Sequence, residues 1–491
     1  MAISDSEYNN WLVSSYATRC VLIEANVNVG GSETTRYLSN RKFVTGSGDT
    51  PSNKAYQSVI CGGVKLTESL GLDSSATLSY GEIELDNPSG EFDSWLDNVW
   101  ENRIVNVYYG DVSWNRSDFR LIFKGVFSGI QSRDRTKLNL MLRDSLQRLN
   151  SPVTDVKLGG ITSNKDRLIP LTFGECHNVS PLLTNPATHE YQLHNGAIES
   201  IIEVRDNGVP IAVTPLLGTG KFTLVNNPVG TITASVQGGK PSSYSNQITE
   251  AIKLLVKNYG ATGNRLTDSD IDLSNFSTFA TANTTPIGLH LSDRTNLLEA
   301  CQQLANSVGA QVTMSRTGLL QLLRVDFPPT GTPVVVTKKD MVERQFNIDS
   351  REPVVASFQI SYCRNYTIEN NLQTLIPEEH KSLFEQEWLT VTQTDGTVAT
   401  KYKLTTEPVT KETLLQTTAS AEIEATRRLN ISKVQRTVYK FTGFSNLLNL
   451  TLGQAITVKH DRFGLSEGKT GVVVGLEPDW INGRIGVKVM I

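Results

Sequence analysis

The chain has 491 residues, 38 % hydrophobic and 20 % charged, with 46 Lys+Arg against 50 Asp+Glu and a formal net charge of −4. That length is too great for one hydrophobic core and predicts about three to five domains. The charge balance excludes nucleic-acid binding as the main task, because that needs a basic face.

Residues 4–17 read as a short helix capped by Ser4 or Asp5. β signals then dominate. Strands are expected at 20–29, before Gly30 and Gly31, and at 58–66, 75–84, 105–109, 119–127 and 138–142, with a loop at 46–51. Short strands at this spacing predict a sandwich or barrel. A first domain is placed at 1–152, ending near Ser151 and Pro152. A small β-module follows at 153–239. In it, Arg205-Asp206-Asn207-Gly208 lies between apolar runs and predicts a hairpin whose turn needs positive φ. Strands at 222–224 and 229–236 complete the module, and 238–245 is a Gly/Ser-rich joint.

Ile248, Ile252, Leu255, Val256 and Tyr259 recur at helical spacing and predict a helix near 246–259, stopped by Gly260. A second helix is expected at 293–308, capped by Ser292 and ended by Gly309, with strands at 310–314 and 319–325 around a turn at 315–318. These elements make an α/β module at 240–335. The last domain, 336–491, is expected to hold a strand at 354–362, helices at 377–387 and 411–428, and a strand at 434–441. Its final stretch carries strands at 455–458, 470–475 and 484–491. There Ile485, Val487, Val489 and Ile491 alternate with Gly486, Lys488 and Met490, so one face is buried. Asn482-Gly483 signals a tight turn. A terminus tied into a sheet fits a built scaffold better than an enzyme core. The first and last domains share several strands plus one or two helices, as two related domains would.

Candidate chemistry is sparse. Cysteines at 20, 61, 176, 301 and 363 are odd in number and far apart, with no CxxC pair, which argues against zinc ribbons and iron–sulfur clusters. Scattered cysteines suggest assembly in a reducing compartment. Residues 1–15 lack the basic and apolar regions of a secretory signal, and no run of 18 apolar residues spans a membrane. His189 and His194, near Cys176 and His177, are five apart instead of the four that share a helix face. A polar loop is the better reading. The stretch from Gly464 through Gly468, Lys469 and Thr470 imitates a phosphate loop but precedes a strand, not a helix. Gly218, Gly220 and Lys221 fail in the same way. No GxSxG elbow is present. Glu82, Glu84, Asp86, Glu91 and Asp93 are read as edge and loop carboxylates, and Asp86-Asn87-Pro88-Ser89-Gly90 as a turn. Trp95 and Trp100 suit a domain core better than a partner surface.

Several segments, taken in order, resemble phage tail baseplate hub proteins. They are YGEIELDNPSGEFDSWLDNVWENRIVNVYYGD at 80–111, RLIFKGVFSGI at 120–130, PLTFGECHNVSPLL at 170–183, YQLHNGAIESIIEVRDNGVPI at 191–211, and LGQAITVKHDRFGLSEGKTGVVVGLE at 452–477. The resemblance implies a mainly β, multidomain chain with α+β modules: two tail-tube-like β-barrel domains, at 1–152 and 336–491, plus two smaller attached domains. Three chains with two barrels each would make a pseudo-sixfold ring. Some related tail-tip proteins bind an iron–sulfur cluster, but the clustered cysteines for it are missing here.

The expectation is a structural virion protein, not an enzyme, with no catalytic residue, cofactor or metal. As a homotrimer it would close the distal end of a tail tube, hold a central fibre and open for DNA. Its implied partners are a distal tail protein or tail tube, a tape measure protein and a central tail fibre protein. DNA would pass without sequence-specific binding. It would sit at the distal tail tip of the virion and assemble in the host bacterial cytoplasm, leaving receptor binding and wall digestion to other proteins. Two other readings stay open: an adhesin or carbohydrate-binding protein with an exposed aromatic platform, and a β-rich glycan hydrolase with paired carboxylates across a cleft.

Overall fold

The computed structural model describes residues 3–72, 79–369, 372, 374, 376–405 and 407–491. The chain opens with helix α1, Asp5–Val13. Its start is fixed by a reciprocal cap: Ser4 Oγ accepts from Glu7 N–H, and the Glu7 carboxylate accepts from Ser4 N–H at 2.8 Å. Tyr8, Trp11 and Leu12 are its buried face.

Seven longer strands follow, with the short strands Phe43–Val44 and Ala55–Ser58 between the second and third: β1 (Arg19–Val29), β2 (Ser32–Ser39), β3 (Ile60–Ser69), β4 (Tyr80–Asp86), β5 (Ile104–Asp111), β6 (Arg120–Asp134) and β7 (Lys137–Asp144). The expected strand at 75–84 begins at Tyr80, and residues 75–78 lie outside the described residues. Between β4 and β5, Gly90 at φ +73 and the Asn87 side chain, accepting from Phe92 N–H, form the expected turn. Trp95 and Trp100 then enter the core, 4 % and 0 % exposed.

The middle of the chain holds a five-stranded sheet built on Leu171–Val179, Ile198–Asp206 and Ile232–Gly239, and a four-stranded sheet that includes Leu182–Asn185 and Lys221–Leu224. Asn207 and Gly208 take φ +47 and +84 between paired Asp206 and Val209, the hairpin expected there. The five-stranded sheet also takes Gly288–Leu291 from beyond residue 240. Helices α2 (Ile248–Asn258), α3 (Leu273–Ala282) and α4 (Leu297–Asn306) pack with the hairpin of Ala310–Met314 and Leu320–Arg324. Gly260 and Gly309, at φ +76 and +66, lie just beyond α2 and α4.

Helix α4 starts four residues later than the sequence suggests. Asn296, not Ser292, is its cap, accepting from Leu298 and Glu299 N–H, while Thr295 and Leu297 hydrogen-bond to Val153 and Ser151. Helix α3 escaped notice because its Ser- and Thr-rich sequence buries only Phe276 and Phe279.

The last third supplies β8 (Val334–Val336), β9 (Asn347–Arg351), β10 (Thr437–Phe444), β11 (Ala455–His460), β12 (Leu465–Asp479) and β13 (Arg484–Met490). Between β9 and β10 lie helices α5 (Glu378–Glu385), α6 (Gly396–Tyr402) and α7 (Thr418–Ser432), and a three-stranded sheet. The helix expected at 411–428 is two elements. Val409–Glu412 pairs in parallel with Ser357–Tyr362, and α7 begins only after Thr417 caps it. Tertiary pairing overrides helical propensity at Lys411. The turn at Asn482-Gly483 is the end of a four-residue loop, 480–483, between paired Asp479 and Arg484, and the loop sends Trp480 into the core.

The outer thirds share one fifteen-stranded sheet, in the order β9-β10-β13-β12-β3-β4-β7-β6-β5-β1-β2, followed by the short strands Ala55–Ser58 and Phe43–Val44. β11 pairs β12 and β8 off this path. One apolar core runs beneath it, from Val21, Ile23 and Trp100 to Ile456, Val487 and Val489.

Candidate assembly surface

The residues first considered for chemistry have structural roles. His194 is buried, and its Nδ1 accepts from Thr172 N–H at 3.0 Å. Thr172 Oγ1 gives its proton to Leu193 O at 2.7 Å, so His290 Nδ1, 3.0 Å away, donates to that hydroxyl. Burial drives the His194 imidazole down to about 4 and that of His290 to about 3, so both are neutral at pH 7. Tyr366 completes the network: its hydroxyl donates to Gly288 O and accepts from His290 N–H. His189 occupies a turn at φ +47. Among the described residues no three His, Cys, Asp or Glu side chains gather to hold a metal. Gly464 turns the chain between β11 and β12, and Gly220 precedes a strand, so neither glycine cluster opens a helix.

The carboxylates considered are ion-paired or used in turns. Glu82 meets Arg133 at 2.9 Å and Glu84 meets Lys137 at 2.6 Å, while Asp93 accepts from the Asn87 amide at 2.8 Å. The Lys137 hydrogen bond holds the Glu84 carboxyl below the usual range. The same solvent side of the sheet carries Lys488 with Asp349 at 2.8 Å and Lys440 with Glu477 at 3.7 Å. That face mixes both signs across the two thirds.

The junction of the thirds is a strand pair. β3 and β12 run antiparallel, with Lys65 opposite Asp479, Glu68 opposite Leu476 and Ser69 opposite Gly475. Leu70 N–H donates to Val474 O at 2.9 Å. The turn between Met314 and Leu320 pins this seam. Arg316 Nε lies 2.6 Å from Glu68 Oε2, its Nη1 donates to Leu448 O, and its carbonyl accepts from Lys124 N–H. Glu68 and Arg316 side chains are only 6 % and 13 % exposed. Helix α1 crosses from the first third to the last: Ser445 Oγ and Arg19 Nη2 both donate to Leu12 O.

On either side of the seam the same unit occurs twice. In chain order β3, β4, a 3₁₀ turn, β5, β6 and β7 correspond to β9, β10, a 3₁₀ turn, β11, β12 and β13. The pairing order β3-β4-β7-β6-β5 matches β9-β10-β13-β12-β11. The long strands β6 and β12 each have 15 residues and end on an aspartate, Asp134 or Asp479. In each, the first half of one edge is covered, by β5 or β11. The second half of that edge in β12 is covered by β3. The sequence suggests two related outer domains from their shared count of elements, but not which strands correspond, because none of the match rests on residue types beyond such isolated positions.

No protein-family model and no curated protein sequence matches the chain. Among solved structures it is similar to the 43 kDa tail protein of prophage MuSo2 from Shewanella oneidensis, with 10 % identity, 96 % of this chain and 98 % of that one covered, and a TM-score of 0.44. It is similar to prophage tail protein gp18 from Listeria monocytogenes, with 9 % identity, 96 % and 94 % covered, and a TM-score of 0.44. A type VI secretion system component of E. coli is similar at 8 % identity, 88 % and 73 % covered, and a TM-score of 0.36.

Proposed function

We propose that this chain is a structural protein of a phage tail tip, a hub in which three copies form a ring at the distal end of the tail tube. One observation carries the reading: a five-strand unit occurs twice in the chain, and the copies are joined edge to edge in one sheet. A chain with two like units in tandem gives a ring of twice as many units as chains. Three copies then present six units to a sixfold tube while keeping threefold symmetry toward a central fibre. The order of segments resembling baseplate hubs supports the same reading. In it, 1–152 and 336–491 carry the ring units, and 153–239 and 240–335 are attached domains. The role is non-enzymatic. The ring closes the tube, contacts a distal tail or tube protein, a tape measure protein and a fibre, and opens for DNA by a domain movement. A solvent face of paired Asp, Glu, Lys and Arg has no basic excess to hold DNA electrostatically.

The test is the mass of the purified protein by light scattering, with electron microscopy of the particles. Three times 54.0 kDa with a central hole is the expected result. A compact particle without a hole, or one that hydrolyses glycans, counts against the hub.

A further inference from the structure

The seam inside the chain uses two edges, β3 of the first unit and the second half of β12 of the second unit. Their counterparts are β9 and the second half of β6. Both are open. β9 pairs β10 on one side and has no strand on the other among the described residues. All five of its residues are exposed. Residues 128–134 of β6 pair β7, and their opposite edge has no strand partner among the described residues.

Comparing equivalent positions shows that something is missing over these edges. The hairpin ends align Asp86 with Phe444 and therefore Gly81 with Tyr439. Leu66, opposite Gly81, thus corresponds to Ile348, opposite Tyr439. Leu66 is 2 % exposed, but Ile348 is 43 % exposed. Nearby, Phe463 is 41 % exposed and packs on Phe346. The connections after β4 and β10 contrast in the same way. Leu447, Leu448 and Leu450 after β10 are buried beside α1 and Arg316, while Leu96, Val99 and Ile104 after β4 are exposed. A strand edge with apolar flanks is a template for another strand.

We propose that β9 of one copy pairs antiparallel with residues 128–134 of β6 in the next copy, repeating between chains the junction that β3 and β12 make within a chain. The occupant is a second copy because this chain already contains the complementary half of the same joint. The contact is head-to-tail, so it closes a ring or continues a filament. The copy number rests on the ring proposed above; the pairing of edges does not.

The register follows from the internal seam. Asp479 corresponds to Asp134, and Lys65 to Asn347, so Lys65 opposite Asp479 becomes Asn347 opposite Asp134 of the next copy. Glu68 opposite Leu476 becomes Arg351 opposite Ile130, with the bulges between Ile348 and Ser350 and between Gln131 and Asp134 each taking up one extra residue. Within one chain six strands, β10, β13, β12, β3, β4 and β7, separate the two edges in the sheet.

The experiment uses the full chain with the exposed Cys61 replaced by serine. Asn347→Cys and Asp134→Cys together, oxidised at high protein concentration, should give disulfide-linked copies, because directly opposed strand residues lie within disulfide reach. Asn347→Cys alone should give none. Ile348→Lys, at an exposed site that the fold of a single copy tolerates, should reduce the assembled mass to that of one chain with an unchanged circular dichroism spectrum. Linkage by Asn347→Cys alone would mean that two β9 edges pair with each other, which overturns the proposal. A ring that survives Ile348→Lys and gives no double-cysteine linkage also overturns it and leaves the hub reading standing. A chain that stays single at every concentration and forms no linkage defeats both. The expected linkage at a closed number other than three upholds the edge pairing and removes the three-copy count.

Discussion

Replacing Arg316 by methionine tests whether the 315–318 turn holds the two units together. Methionine keeps an apolar stem of similar length and removes the guanidinium that sits 2.6 Å from Glu68 and donates to Leu448 O at 3.0 Å. Glu68 would remain almost fully buried with no cation beside it. Removing one member of a buried pair costs about 3–5 kcal/mol, because the other charge is left desolvated. Arg316 retains some solvent contact, so the lower end applies, about 3 kcal/mol. At 1.4 kcal/mol per tenfold, the seam should open roughly a hundredfold more often. Amide hydrogen exchange read at 65–69 and 475–479 measures that opening directly, and does not require the whole chain to unfold in one step. Adding Glu68→Gln to Arg316→Met should recover part of the loss, since the stranded charge is gone. A change below threefold at the seam, or one confined to 315–318, would refute the assignment of Arg316 as its pin.

Asp144 is buried against Ser79 and Leu146 N–H, and burial raises its carboxyl to about 7. Its folded value exceeds the unfolded one, so its contribution is complete below about pH 4 and is lost as pH rises through 7. Asp144→Asn should flatten melting temperature against pH in that window, and parallel curves would contradict this. His194 and His290 act in the opposite direction: their folded values are depressed by burial, so the stability they allow is present above about pH 6.5 and lost as pH falls toward 4 and 3. NMR of the imidazole carbons should show neither ring titrating between pH 8 and 5. Gly288→Ala places a Cβ 1.7 Å from Glu175 O, where Gly288–Leu291 pairs Leu171–Val179. It should cost roughly 3 kcal/mol or more in denaturant unfolding, and a near-neutral result would mean that the pairing can shift. Ser4→Ala breaks the cap of α1 and should cost about 1 kcal/mol, seen as faster exchange in residues 7–9.

Local signals were legible where the physics is local. Ser4, one of the two caps the sequence offers, starts α1, because a cap is made by residues only three apart. Asn207-Gly208 names its hairpin because two successive positive φ values suit few other pairs. Alternation at Ile485, Val487 and Val489 names the buried face of β13. Reading failed where a distant strand decided the outcome. Lys411 sits in a stretch of helical composition, yet Ile360 lies beside it in a parallel ladder. Asp293 to Asn296 look like a first helical turn, yet residues 151–153 take their hydrogen bonds. His189 and His194 stand close in sequence and serve different ends, one in a turn and one in a core network whose other members, Thr172, His290 and Tyr366, come from distant segments.

By itself the sequence determined a mainly β, multidomain chain, with most strands, caps and turns at their places, because side-chain periodicity and capping chemistry act over a few residues. Only the tertiary structure decided which strands of the outer thirds correspond, that β3 and β12 fuse them into a single sheet, and that β9 and residues 128–134 have an edge without a strand partner among the described residues. The register of that seam is set by backbone hydrogen bonds between residues hundreds of positions apart, such as Ser69 and Gly475. Those bonds use groups that every residue but proline carries in full, so they leave almost no mark on residue type.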